Sequence, residues 1–274
     1  MTVDISHLHL AVQGKTLLDD VSLQIDDGER VGLIGVSGSG KSMISRACLG
    51  LLPPHMQLQG SIRIGGQEMV GADEGLLADM RGKAIALIMQ DPASALNPVK
   101  RIADQIALPL RLHYSLNRQQ IHERVVAMLR KVDVPLEAMR RFPHQLSGGQ
   151  QQRVAIATAL VTSPRFIVAD EPTTALDPIT QRQIVDLLVS LVDDAGASML
   201  FITHDFSVLS QATNRCYVLD GGRIAESGRT LDLLRSPEQE TTRGLVDAAR
   251  MLTFHADEHM SISAEYRQGG RSER

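Results

Sequence analysis

The sequence predicts a mixed α/β fold in which a mostly parallel β-sheet is interrupted by a helical insert. Short segments rich in apolar and β-branched residues alternate with segments of helical periodicity, a pattern typical of parallel α/β proteins. Three strand-like segments are ERVGLIGV at 29–36, FIVAD at 166–170 and SMLFITH at 198–204. Between the first two, the spacing of apolar residues becomes helical, most clearly in IHERVVAMLRKV. The helical insert is therefore expected at about 91–160.

The composition indicates a globular protein with a substantial core. Of the 274 residues, 43% are apolar and 22% are charged. No apolar run reaches the roughly 18 residues that a membrane-spanning helix needs, and the acid in MTVDISHLHL is not typical of a secretory signal peptide. A net charge of −4 gives no basic footprint for nucleic acid. Cys48 and Cys216 lack a metal-binding spacing, so we expect reduced thiols in a cytoplasmic protein.

The remaining segments complete the order of elements. HLHLAV and LLDDVSLQI precede the first core strand and predict a small N-terminal β-subdomain. SMISRACLGLL predicts a helix that ends before a Pro-Pro pair. RCYVLDGGRIAE predicts a strand pair near the end of a domain that spans residues 1–235. We expect residues 236–274 to form a C-terminal extension whose last part, from about 255, lacks regular structure.

The segment GVSGSGKS matches the phosphate-binding pattern G-x-x-x-x-G-K-[ST] between a predicted strand and a predicted helix. Glycines keep such a loop free of side chains, so its N–H groups can surround phosphates. Lys41 is expected between the β- and γ-phosphates, and the Ser42 hydroxyl is an expected Mg²⁺ ligand. The pattern predicts a P-loop NTPase core of RecA-like fold that binds ATP and Mg²⁺. The expected nucleotide contacts are Gly35, Val36, Ser37, Gly38, Ser39, Gly40, Lys41 and Ser42.

Two acidic residues follow the apolar segment FIVA. Asp170 ends that segment and is the expected partner of Mg²⁺ in a nucleotide site. Glu171 comes directly after it, in a position to polarise a water molecule toward the γ-phosphate. By itself, this stretch is also explained by a buried strand that ends in a solvated acidic turn. The phosphate loop upstream favours the catalytic interpretation.

The segment LSGGQQQR, Leu146–Arg153, resembles the signature of ATP-binding-cassette (ABC) ATPases. Further elements follow in the order found in that family. Gln90 in IMQDP is similar to the Q-loop glutamine, Asp177 in TTALD to the D-loop aspartate, and His204 in FITHD to the switch histidine. The resemblance covers about residues 3–235. It implies the fold predicted above, with the signature in the helical subdomain.

The resemblance also implies an active site shared by two cassettes. In this family two cassettes pair head to tail, and each signature loop faces the nucleotide held by the other cassette. The residues expected on that face are Ser147, Gly148, Gly149, Gln150 and Asp177. The expected catalytic residues are Glu171, His204 and Gln90, and the expected Mg²⁺ ligands are Ser42, Gln90 and Asp170. ATP would close the pair, and hydrolysis would reopen it.

Two segments resemble the ATPases of dipeptide, oligopeptide and nickel importers. QDPASALNP, Gln90–Pro98, is similar to their Q-loop region, which borders the groove for the membrane subunit's coupling helix. TTRGLVDAAR, at 241–250, is similar to their C-terminal segment. The resemblance implies a second ATPase subunit, identical or different, two transmembrane permease subunits and an extracytoplasmic solute-binding protein. It places the chain at the cytoplasmic face of the inner membrane.

Several alternatives stay open at this stage. No cysteine follows Cys216, so the iron–sulfur tail of some peptide importers is missing, which favours nickel or a metallophore over peptides as cargo. The chain could instead be an ATP-gated clamp or scaffold that moves no cargo. The segment HADEH, with His255 and His259, could chelate a metal ion or belong to a solvated tail. Where the family stacks an aromatic residue on adenine, this sequence has Val12 or Gln13.

Overall fold

The computed structural model describes residues 1–174 and 176–251, which form two β-sheets and the helices that cover them. The strands are β1 (Val3–Val12), β2 (Lys15–Ile25), β3 (Arg30–Ile34), β4 (Met56–Ile64), β5 (Gln67–Glu68), β6 (Ile85–Ile88), β7 (Phe166–Asp170), β8 (Ser198–Thr203), β9 (Arg215–Asp220) and β10 (Arg223–Arg229). The smaller sheet has the order β2-β1-β4-β5 and is antiparallel. It contains the N-terminal strands that the sequence predicts.

The larger sheet has the order β10-β9-β3-β8-β7-β6. All neighbouring strands from β9 to β6 are parallel, and only the edge strand β10 is antiparallel to its neighbour. The carboxyl ends of parallel strands meet at one edge, which is where ligands bind in open α/β sheets. The loops that follow β3, β6, β7 and β8 therefore come together, although the sequence separates them widely.

Helices flank both sheets. They are α1 (Lys41–Cys48), α2 (Glu74–Met80), α3 (Pro92–Ala95), α4 (Ile102–His113), α5 (Arg118–Lys131), α6 (Gly148–Leu160), α7 (Pro178–Ala195), α8 (Phe206–Ala212) and α9 (Thr230–Arg235), and residues 240–251 are also helical. Helices α3 to α6 lie between β6 and β7 along the chain, with two short 3-10 turns before α6. The mixed α/β fold predicted from the sequence is confirmed, including helices in the predicted insert.

Helix α1 is shorter than its sequence pattern predicts. It ends at Cys48, because Gly50 adopts a left-handed φ of 61° and the chain turns before the two prolines. The left-handed φ disfavours other residues at Gly50, and a Cβ atom there would also lie 2.8 Å from Leu77 Cδ1. The Pro-Pro pair therefore follows the helix end without causing it.

Two apolar clusters form the core. One lies between the larger sheet and the helices of the insert, and the other joins the smaller sheet to α1. The first cluster includes Leu245, Val246 and Ala249, so the helix at 240–251 packs onto the same core. Both cysteines are buried free thiols, and burial raises the pKa of Cys48 to about 12 and that of Cys216 to about 11.

The structure bears on two further expectations. Within residues 1–174 and 176–251, no helix combines the length and apolar character needed to cross a membrane. The segment HADEH lies outside the described residues.

The histidines of HLHL have neighbours in β2: His7 Nδ1 lies 2.7 Å from Asp20 Oδ1, and His9 Nδ1 lies 3.2 Å from Asp19 Oδ1. In the described part of the chain, no group of three or more His, Cys, Asp or Glu side chains is arranged to hold a metal ion.

Candidate functional site

The glycine-rich loop connects β3 to α1 in the way the motif predicts. Gly38 and Gly40 have φ values of 81° and 109°, a conformation that side chains disfavour. At Gly35, a Cβ atom would lie 2.2 Å from the backbone oxygen of Leu219. These glycines let the loop turn tightly before α1 begins at Lys41. The Ser39 side chain is buried, so its contact with a phosphate would come from the backbone.

Lys41 points back into the loop that precedes it. Its Nζ donates to the backbone oxygens of Gly35, at 2.7 Å, and of Val36, at 3.0 Å. Burial lowers the pKa of Lys41, while the carboxylates of Glu171 and Asp170 act in the opposite direction. The ammonium group is thus held at the mouth of the loop by neutral carbonyls, which a phosphate could replace as the stronger partner.

Asp170, at the end of β7, faces the start of α1. The Ser42 hydroxyl lies 3.2 Å from Asp170 Oδ1 and donates to it. The Ser45 hydroxyl, one helical turn later, lies 2.8 Å from Asp170 Oδ2. Carboxylate and hydroxyl oxygens are the ligands that Mg²⁺ prefers, so the donor set at Ser42 and Asp170 fits that ion. Sequence reasoning missed Ser45, because only the packing of α1 on β7 brings it to Asp170.

Glu171 and His204 lie side by side at the ends of β7 and β8. His204 Nδ1 is 3.3 Å from Glu171 Oε1, and the Thr174 hydroxyl donates to Glu171 Oε2 at 2.9 Å. Glu171 has a left-handed φ of 49°, uncommon for a residue other than glycine. Strain of this kind is typical of functional sites. The sequence pattern contains both Glu171 and His204, but it does not indicate that Thr174 contacts the carboxylate.

A cavity of about 460 Å³ joins these elements. Its described lining is Leu17, Ser37, Gly38, Gly40, Lys41, Ser42, Met43, Met56, Gln90 and Glu171. Gln90, from the loop after β6, thus shares one cavity with the phosphate loop and Glu171. The three apolar residues Leu17, Met43 and Met56 were not predicted. Met56 pairs with Val12 across β1 and β4, so a residue of the cavity lies beside the position where the resemblance implies an aromatic residue.

The signature segment lies apart from this cavity. Ser147 and Gln150 form a capping box at the start of α6, in which each side chain accepts from the other's backbone N–H, at 3.3 Å and 3.2 Å. Ser147 and Gly148 are exposed, and a side chain at Gly148 would meet nothing within 4 Å. The described lining of the cavity includes none of these residues. The signature loop is therefore open to another molecule.

Asp177 caps the N-terminus of α7. Its carboxylate accepts from the backbone N–H groups of Ile179 and Thr180, at 3.1 Å and 3.0 Å. The hydrogen bonds from Thr180 hold the pKa of Asp177 below its ordinary value. Asp177 is exposed and, like the signature segment, does not line the cavity.

The segment Gln90–Pro98 leads from the cavity to an exposed groove. Gln105 fixes the segment's end, because its side chain accepts from Asn97 N at 2.7 Å and donates to Lys100 O at 3.0 Å. The groove has a volume of about 410 Å³. It is lined by Val99, Lys100, Arg101, Asp104, Leu108, Arg111 and Phe142. Val99 is 80% exposed and Leu108 is 41% exposed, so the groove presents apolar side chains as well as charged ones.

Comparison with known proteins identifies the family. Residues 18–174, more than half of the chain, match the family model described as ABC transporter. The chain belongs to the ABC transporter family. This cassette is 40% identical to the "Probable D,D-dipeptide transport ATP-binding protein DdpD" of Escherichia coli over 255 residues, which cover 90% of this chain and 78% of that protein.

Other relatives and solved structures agree with this assignment. The cassette is 40% identical over 240 residues to the "Oligopeptide transport ATP-binding protein OppD" of Mycobacterium tuberculosis. That match covers 86% of this chain but only 39% of the relative, so the chain spans well under half of that protein. Among solved structures, the ATP-binding cassette MJ0796, a dimer bound to ADP and Pi, has a TM-score of 0.74 at 30% identity, covering 83% of this chain and 98% of that one. CbiO1 from Clostridium perfringens, part of the ABC transporter complex cbiONQ, has a TM-score of 0.75 at 25% identity, covering 85% and 90%.

Proposed function

We propose that this cassette binds and hydrolyses ATP and uses the cycle to drive import across a membrane. The proposal rests on one observation: the phosphate loop, Gln90 and Glu171 line the same cavity, and His204 contacts Glu171. Family membership supports the same conclusion. The substrate is ATP, and its phosphates enter where the loop backbone, Lys41 and the start of α1 converge.

The residues of the proposed active site have separate roles in binding and hydrolysis. The loop N–H groups and Lys41 hold the phosphates, and Ser42, Asp170 and Gln90 would hold Mg²⁺. When bound, Mg²⁺ neutralises charge on the phosphate oxygens. Glu171 orients the attacking water and accepts its proton, and His204 contacts the γ-phosphate. Because phosphoryl transfer depends mostly on positioning and charge stabilisation, fixed donors around the phosphates account for most of the catalysis.

The proposed active site is complete only when two cassettes pair. Ser147, Gly148, Gly149, Gln150 and Asp177 would act on the nucleotide held by the other cassette. Ser147, Gly148 and Asp177 are exposed, and the described lining of the chain's own cavity includes none of the five, which supports this assignment. Because Ser147 and Gly148 are exposed, the N-terminus of α6 is accessible, and a helix N-terminus favours an anionic group. The related cassette MJ0796 forms a dimer; here the second cassette is a copy of this chain or a different subunit.

For cargo to move, the ATP-driven closure of the two cassettes must be transmitted to a membrane subunit. We propose that the groove beside Gln90–Pro98 receives a segment of one of two transmembrane permease subunits. The segment starts at a cavity residue, Gln90, and ends against α4 through Gln105, so a change at the nucleotide can move the groove. The cassette then works at the cytoplasmic face of the cell membrane, with a solute-binding protein on the other side.

The names of the relatives support peptides as cargo, and nickel, which the sequence favours, remains a prediction. The test is uptake of a labelled dipeptide and of labelled nickel by native cells, with wild type compared with Lys41→Ala. Loss of dipeptide uptake alone supports the peptide proposal, whereas loss of nickel uptake alone supports the nickel branch. If neither uptake changes while the purified chain hydrolyses ATP, the chain is a clamp or scaffold or serves another cargo. Lys83→Ala, which removes a surface ion pair with Asp79, is the matched control.

A further inference from the structure

The Glu171 carboxylate is held at both of its oxygens. Oε1 faces His204 Nδ1 at 3.3 Å, and Oε2 accepts the Thr174 hydroxyl hydrogen at 2.9 Å. A glutamate side chain free to rotate samples many orientations, and fixing it costs rotamer entropy. Contacts at both oxygens select one orientation in advance. Only 18% of the Glu171 side chain is exposed, so few competing contacts with solvent remain.

The backbone around Glu171 is tied to the strand that carries His204. The Glu171 N–H donates to the oxygen of Ile202, in β8, at 2.9 Å. Its φ of 49° turns the chain sharply out of β7 and into Pro172. That turn brings Thr174, three residues later, back beside the Glu171 carboxylate. Strand β8 thus fixes the positions of both the Glu171 backbone and His204, which directly follows that strand. Thr174 then restricts the remaining rotation of the Glu171 carboxylate.

We propose that Thr174 is a positioning residue for Glu171. Its hydroxyl holds Oε2, so that Oε1 faces His204 and the cavity, where a water molecule would be oriented. Thr174 is not among the described residues that line the cavity, and it acts only through Glu171. The inference rests on the proposed ATPase function, in which Glu171 orients the attacking water. It adds to that function a threonine of the segment TTALD, in which the resemblance assigned a role only to Asp177.

The chain offers a matched pair of substitutions. Thr174→Val removes the hydroxyl but keeps the β-branched shape and its backbone preference. Thr174→Ser keeps the hydroxyl and removes only a methyl group. Because Thr174 is exposed, neither change leaves a cavity in the core. A role limited to backbone shape predicts that Val is tolerated better than Ser, and a hydrogen-bonding role predicts the reverse order.

The experiment measures phosphate release at varied ATP concentration, ATP binding at equilibrium, and the lifetime of the MgATP-bound pair by sizing. We expect Thr174→Val to lower kcat by about 10- to 100-fold with KM and ATP binding unchanged, since the loss is one of positioning. The ATP-bound pair should last longer, because hydrolysis reopens it. Thr174→Ser should retain a kcat close to that of wild type.

Other outcomes overturn the inference in distinguishable ways. A Thr174→Val kcat equal to that of wild type removes any role for the hydroxyl. A larger loss in the Ser variant than in the Val variant shows that Thr174 supports loop shape only. Equal losses in the two variants, or a loss confined to ATP binding, show that its hydroxyl does not position Glu171. If the wild-type chain itself neither binds nor hydrolyses ATP, the proposed function fails first, and the role of Thr174 fails with it.

Discussion

The hydroxyl of Ser45 donates to Oδ2 of Asp170 at 2.8 Å, so the helix after the phosphate loop fixes the carboxylate at the end of β7. Asp170 is the expected Mg²⁺ partner, and Ser42, on the same helix, lies against its other oxygen. Ser45 is buried and does not line the nucleotide cavity. Ser45 therefore orients the proposed metal ligand, Asp170, without lining the cavity itself.

Ser45→Ala should weaken the response to Mg²⁺. Groups that orient a metal ligand typically contribute about 10-fold or more to metal affinity. We therefore expect the Mg²⁺ concentration for half-maximal phosphate release to rise about 10-fold, with the fold unchanged. Ser6→Ala, which removes another serine that donates to an aspartate far from the site, is the control. An unchanged Mg²⁺ midpoint in Ser45→Ala would show that Asp170 needs no such support.

Ser147→Arg should block hydrolysis and leave nucleotide binding to the isolated chain intact. The residue is exposed and does not line the chain's own cavity, so a large cation there obstructs only a facing cassette. Filter binding of ATP by the monomer and phosphate release at high chain concentration measure the two effects. If the monomer loses ATP binding, Ser147 contributes to its own chain's site, and the head-to-tail arrangement is wrong for this protein.

Val12→Tyr should tighten ATP binding. Val12 pairs with Met56, which lines the cavity, so a tyrosine ring at this position can stack on the base. Ring stacking contributes about 0.5–1.5 kcal/mol, which corresponds to roughly a 2- to 10-fold lower Kd. Val12→Leu adds apolar area without a ring and is the control. Equal affinity of Val12→Tyr and Val12→Leu would mean that the base does not reach β1.

Glu29→Gln should lower stability in a pH-dependent way. Arg215 donates to both Glu29 oxygens, at 2.9 Å and 2.7 Å, and these bonds hold the pKa of Glu29 below its ordinary value of 4.5. A depressed pKa in the folded state stabilises the protein above the unfolded value, and this contribution is lost as pH falls. We expect the variant to lose about 1 kcal/mol at pH 7, because the pair is partly solvated.

The measurement is urea unfolding of wild type and Glu29→Gln at several pH values. The difference in the free energy of unfolding should be constant near neutrality and shrink as the pH falls below 4.5. A difference that does not change with pH would assign the loss to packing instead of charge.

The local motifs could be predicted from the sequence, but the contacts between distant segments could not. GVSGSGKS lies between a strand and a helix because glycine content and spacing determine that local structure. The neighbours of Asp170 and Glu171 depend on the order of strands in the sheet, which brings β3, β7 and β8 together. Ser45 is an ordinary helical serine in the sequence, and Thr174 an ordinary loop threonine. The packing of α1 on β7 and the left-handed turn at Glu171 give these two residues their contacts.

The apolar lining of the cavity could not be predicted from the sequence either, because it also depends on contacts between distant segments. Val12 and Met56 are 44 positions apart, and only the antiparallel pairing of β1 with β4 places them side by side. Helix α1 illustrates the opposite case, because the sequence contains two local signals for its end. The pattern predicts a helix that runs to the Pro-Pro pair, whereas Gly50, with its left-handed φ, ends the helix earlier.

In the proposed cycle, two cassettes close on ATP, and Glu171 drives the hydrolysis that opens them. This cycle is tested by the size of the Glu171→Gln chain with and without MgATP, measured together with phosphate release. We expect a variant that binds ATP, releases almost no phosphate and runs as a stable pair only with MgATP. Normal phosphate release by Glu171→Gln, or tight ATP binding with no pair at any concentration, even with the partner ATPase subunit present, would contradict it.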